Sequence, residues 1–77
     1  MGYGALEVDE EVATRVRVAM DTAGVTQHAL HELAKIPWTT LDRKLTVGSF
    51  TVRELYRIAD ALSVPIADLL PAPEVAA

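Results

Sequence analysis

Residues 26–45 read Thr26-Gln27-His28-Ala29-Leu30-His31-Glu32-Leu33-Ala34-Lys35-Ile36-Pro37-Trp38-Thr39-Thr40-Leu41-Asp42-Arg43-Lys44-Leu45. Two short apolar patterns share this stretch. Thr26 is a good N-cap, and Leu30, Leu33 and Ala34 fall on one helical side behind it. Pro37 biases Ile36 away from the α region, so this helix ends near Ala34. Proline is tolerated in a first turn, so the next helix opens at Pro37 or Trp38. In it Leu41 and Leu45 point inward, four residues apart, and Thr39, Thr40, Asp42, Arg43 and Thr46 are left outside. Two short helices joined by so few residues must cross steeply, which is helix-turn-helix geometry.

Working outward, the flanking segments are helical too. Upstream, Asp9 is a candidate N-cap, with Glu10 and Glu11 where the helix dipole favours negative charge. Val12, Ala13, Val16, Ala19, Met20 and Ala23 follow at three- and four-residue steps, and Gly24 then offers a positive-φ stop. Downstream, Thr51 and Glu54 form a capping box, and Phe50 with Leu55 makes the matching hydrophobic staple. Leu55, Ile58, Ala59 and Leu62 continue that stripe to Ser63-Val64. Pro65 then opens a short fifth helix with Ile66, Leu69 and Leu70 apolar. No stretch alternates long enough to be a strand. The reading is an all-α, compact five-helix domain over residues 9–71, with a flexible arm at 1–8 and a flexible tail at 72–77.

Composition bounds the function. The chain has 77 residues, 51% of them hydrophobic, with no cysteine and a net charge of −4. That is one domain with one small core, and neither a disulfide framework nor a thiolate metal site can form. No apolar run approaches the ~18 residues of a membrane span, and the N-terminus has neither a basic n-region nor an apolar h-region. A cytoplasmic protein with no membrane partner is expected. There is no G-x-S-x-G, no P-loop and no paired acids, and a helical chain of this size has little room for a pocket. No enzyme, cofactor or small-molecule substrate is expected. His28 and His31 lie three apart beside Glu32, a spacing that can hold a metal. Without a third His or any Cys, polar surface is the preferred reading and no metal is expected. The acidic balance argues against nucleic acid, whose binders are usually basic.

Residues 26–45 nevertheless resemble the helix-turn-helix of the phage-repressor and Cro-like (XRE-type) family, which reads T-Q-x-x-L-A-x-x-x-G-I-S-x-x-T-L-x-R-x-L there. Thr26, Gln27, Leu30, Ile36, Thr40, Leu41, Arg43 and Leu45 match without gaps. Residues 50–65 are likewise similar to its F-T-x-x-E-L-x-x-I-A-x-A-L-G-V-P. His31, Lys35 and Trp38 depart from it, standing where the family has a small residue, a turn glycine and a polar or basic residue. The resemblance implies a repressor-like domain and a transcriptional regulator of phage or prophage type, in the nucleoid or in a phage's host cell. Its partner would be a double-stranded DNA operator, with the third helix in the major groove. A homodimer on two half-sites would raise affinity without new contacts, and the segment around Leu69 is the expected pairing surface.

On this reading Trp38, Thr39, Asp42 and Arg43 face base edges. Arg43 can give two hydrogen bonds to guanine, Thr39 and Trp38 can meet thymine methyls, and Asp42 can accept from cytosine. Gln27, Lys35, Thr40, Lys44, Ser49 and Arg53 would contact phosphates. Lys35, Arg43, Lys44 and Arg53 as four neutralising cations give a log–log salt slope of about −3.6 per protomer. Each residue has a plainer role available: Trp38 as a plug over the core beside His31, the others as solvated surface. The rival function is a protein-interaction module or antitoxin-like factor on the same fold with weak or no DNA binding. The acidic charge and Trp38 favour it.

Overall fold

The computed structural model describes residues 4–71, and side chains from Asp9 onward. Four α-helices, α1 (Gly4–Ala23), α2 (Gln27–Ala34), α3 (Trp38–Val47) and α4 (Val52–Leu62), precede a one-turn 3-10 helix at Ile66–Leu69. No strand occurs among the described residues. The expected fifth helix is therefore a single 3-10 turn. The expected start at Asp9 is also corrected: α1 begins at Gly4, five residues earlier, and takes in part of the expected 1–8 arm. Ala5, Leu6 and Glu7 are good helix formers, so nothing in the sequence stops the helix at Asp9. Residues 1–3 and the tail at 72–77 lie outside the described residues.

Local chemistry sets the helix boundaries. Thr26 Oγ1 accepts from the Ala29 N–H at 3.1 Å, which caps α2. Thr51 Oγ1 accepts from the Glu54 N–H at 3.1 Å while Glu54 Oε1 accepts from the Thr51 N–H at 2.8 Å, completing the capping box of α4. All four helices end at a left-handed residue: Gly24 (φ 70°), Lys35 (59°), Gly48 (80°) and Ser63 (58°). At three of these corners the next residue is apolar and its N–H reaches back five positions: Val25 to Met20, Ile36 to His31 and Val64 to Ala59. This is the Schellman arrangement, with its apolar residue turned to the core. Ile36 is buried, and Val25 and Val64 pack against the core cluster.

α1 lies on α3 and α2 on α4, and the 3-10 turn closes against α1 and α4. The core takes Val12, Val16 and Met20 from α1, Leu30 and Ala34 from α2, and Ile36 from the turn. Leu41, Leu45, Leu55, Ile58, Ala59 and Leu62 complete it from α3 and α4. Leu69 is fully buried there too, so the expected pairing role for this residue is corrected: it is a core side chain. Two other expectations fail at the rim. Leu33 is 58% exposed, and Ala23 is exposed. At about 100° per residue, Leu30 and Ala34 centre the packed side of α2, and Leu33 falls about 80° away from it.

Candidate nucleic-acid interface

α3 sits on the core through Leu41 and Leu45, and that packing decides which side it shows. At about 100° per residue, Arg43 points directly away from the Leu41–Leu45 direction, with Thr39 and Thr46 beside it. Asp42 lies between that outer side and Trp38, and Trp38 sits near the border with the core. Thr39, Asp42, Arg43 and Thr46 are all exposed, while Thr40 is half-buried. Thr46, one turn beyond Asp42 on the same face, was missing from the expected base-facing set, though its spacing placed it there.

Three contacts hold α3 in place. Gln27 Nε2, in the first turn of α2, donates to Asp42 Oδ1 at 3.1 Å. This bond ties the entry of α2 to the middle of α3 and fixes both side chains. At the other end the Arg17 guanidinium of α1 donates to the Leu45 carbonyl. A cation there also suits the negative end of the helix dipole. No local pattern marks Arg17 for this, because its partner is 28 residues away. The third contact is Lys44 Nζ with Glu54 Oε1 at 2.6 Å, with side chains only 13% and 17% exposed.

That pair bears on the phosphate contact expected of Lys44. The ammonium is turned inward onto the same carboxylate oxygen that caps α4, so its charge is used inside the domain. Burial pushes the Glu54 carboxyl up, but Lys44 and the Thr51 backbone N–H outweigh it, and the group titrates below its ordinary value.

The remaining expected residues sit as follows. Lys35 is exposed at the left-handed corner between α2 and α3. Ser49 is exposed in the loop after α3, and Arg53 is exposed in the first turn of α4. Arg57, also exposed, lies one turn beyond Arg53 on α4, a four-residue spacing that sets both guanidiniums on one side of the helix. Among the described residues Lys35, Arg43, Arg53 and Arg57 form no salt bridge. Trp38 is 43% exposed, with its ring 5.6 Å from that of His31, edge-on, and 6.1 Å from that of His28. Trp38 thus covers the α2–α3 junction and still shows a face.

The acidic overall balance hides a division along the chain. Residues 26–57 carry five basic side chains (Lys35, Arg43, Lys44, Arg53, Arg57) and three acidic ones (Glu32, Asp42, Glu54). This segment is at +2, and the rest of the chain accounts for −6 of the net −4.

A family model for the Cro/C1-type helix-turn-helix DNA-binding domain matches residues 15–73. The chain belongs to this family. The match covers α2, α3, α4 and the 3-10 turn, together with the C-terminal part of α1 from Arg15 on, including Arg17. A comparison with curated proteins gives no match. At the family level the Cro/C1-type domain makes this a DNA-binding regulator. Among the described residues no helix is long and apolar enough to cross a membrane.

Proposed function

We propose that this Cro/C1-type domain is a sequence-specific regulator of transcription that reads the major groove of double-stranded DNA with α3. The observation that carries the reading is the outer face of α3. Arg43, Thr39 and Asp42 project from it, and Leu41 and Leu45 hold it to the core. Arg43 reads a guanine edge, Thr39 and Trp38 meet methyl or sugar, and Asp42 accepts from cytosine N4. Gln27, Lys35, Thr40, Ser49 and Arg53 set the register on phosphates. Gln27 has two amide hydrogens, so it can hold Asp42 with one and a phosphate oxygen with the other. A repressor acting by operator occupancy fits this arrangement, and so does pairing of two copies across half-sites about 34 Å apart.

With Lys44 turned inward, three cations remain from the expected set, Lys35, Arg43 and Arg53. The salt slope then becomes no steeper than about −2.7 per protomer. The test is selection of bound sequences from a random DNA pool, followed by anisotropy titrations on the selected site at several salt concentrations. A consensus with a guanine whose loss weakens binding supports the reading. No binding to any DNA at ~50 mM salt overturns it and leaves the protein-interaction reading.

A further inference from the structure

The chain has two histidines, both on α2, and one tryptophan, in the first turn of α3. The fold brings all three rings together: His28 and His31 lie 5.3 Å apart edge-on, and Trp38 packs against both. The missing Cys and third His had argued against a metal here. The geometry changes that balance. We propose that His28, His31 and Glu32 bind one divalent transition-metal ion of the zinc class, with water completing its shell.

Three observations carry this. One ligand atom from each residue lies within 4.8 Å of the other two, all on one side of α2. His31 and Glu32 lie three and four residues after His28, so the helix itself holds each of them beside it. His28 Nε2 and Glu32 Oε2 are already 3.5 Å apart. That is close to the ~3.3 Å edge of a tetrahedron with metal–ligand bonds of ~2.0–2.1 Å. The third observation concerns the tautomer of His31. Its Nδ1 lies 3.2 Å from the Ile36 carbonyl oxygen. A carbonyl can only accept, so Nδ1 is the donor, and in the neutral imidazole Nε2 is the nitrogen with the lone pair. An imidazole tied to a backbone carbonyl through one nitrogen, with the other free, is oriented as metal-binding histidines are.

The ligand set also selects the ion. Two imidazoles and one carboxylate suit Zn²⁺, Ni²⁺ or Cu²⁺ better than Mg²⁺ or Ca²⁺. Three protein ligands leave a position open to water. An ion there would fix both imidazoles, and through them the ring of Trp38.

The proposal is tested with tag-free full-length protein. Zn²⁺ binding is measured by calorimetry, and Trp38 emission is followed during a Ni²⁺ titration. The expected result is one saturable Zn²⁺ per chain, weakened about tenfold or more by His28→Ala and less by Glu32→Gln, and unaffected by Asp60→Asn. Ni²⁺ should quench Trp38 in the parent protein and not in His28→Ala. His28 is largely exposed, so that variant keeps the fold and decides the matter even if His31→Gln proves unstable. No saturable binding up to ~1 mM Zn²⁺, or binding unchanged in His28→Ala, overturns the proposal. Neither readout involves DNA, so the result stands apart from the proposed function.

Discussion

The two positive-φ glycines form a matched pair that tests how α1 is docked. A Cβ added at Gly24 (φ +70°) meets nothing within 4 Å. A Cβ added at Gly48 (φ +80°) would lie 1.7 Å from the Asp9 carbonyl oxygen and 2.4 Å from its carbon. Alanine at either site bears the left-handed penalty of about 1 kcal/mol. At Gly48 the Asp9 main chain must also retreat by about 1.5–2 Å to reach ordinary contact distance. Forced overpacking costs about 1–3 kcal/mol, and an obstacle made of backbone belongs at the upper end. Gly24→Ala should therefore cost about 1 kcal/mol and Gly48→Ala about 3–4 kcal/mol. A domain of this length has roughly 4–12 kcal/mol in total, so the second change removes a large share. Thermal melts followed by circular dichroism should show a drop of about 4–8 °C for Gly24→Ala. Gly48→Ala should drop by at least twice that, and urea titrations should give the same order. The left-handed penalty cancels between the two variants, so the difference reports the Asp9 contact alone. Equal losses would refute the close approach of α1 to the loop after α3.

Other expectations follow from the contacts described. Lys44→Met should cost about 1–3 kcal/mol in urea unfolding, because it strips the largely buried Glu54 carboxylate of its charged partner. Because Glu54 titrates below its ordinary value in the folded chain, its contribution is whole above that ordinary value and fades as pH falls through the folded one. Glu54→Gln should flatten that part of the acid limb in stability measured from pH 7 downward. Lys35→Gly should raise stability by up to ~1 kcal/mol, and a loss would contradict the left-handed corner. On a selected DNA site, Arg43→Ala should cost about 1–3 kcal/mol and relax preference at one base pair. Lys44→Ala should leave the salt slope unchanged, and a slope flattened by one unit would show that Lys44 does reach phosphate.

What could be read from the sequence was what neighbours in the chain decide. The Thr26 cap, the Thr51–Glu54 box, the Lys35 corner and the inward Leu41–Leu45 pair each involve residues within about five positions, and each is in place. What could not be read is long-range. Lys44 has the look of surface charge until Glu54, ten residues on, turns it inward. Arg17 has no visible task without the Leu45 carbonyl. Leu33 counts as core by hydrophobicity, but α4 takes only the Leu30–Ala34 side of an eight-residue helix. At the candidate site the exposed set on α3 was legible from helical spacing. The Gln27–Asp42 bond was not, because it depends on the crossing of two helices.

The four left-handed helix ends have a consequence for how freely this domain can change. Glycine occupies two of them, whereas Lys35 and Ser63 occupy the others, each at about 1 kcal/mol above what glycine would allow. For a domain with roughly 4–12 kcal/mol in hand, that is a reserve held at positions outside the hydrophobic core. Ser63→Gly recovers part of it at a corner away from α3, without touching a charge on the proposed DNA face. Such a variant should carry several combined substitutions at Thr39, Asp42 and Arg43 with about 1 kcal/mol more margin than the parent chain. The corner after α4 is thus the place to begin when the base preference of α3 is to be redesigned.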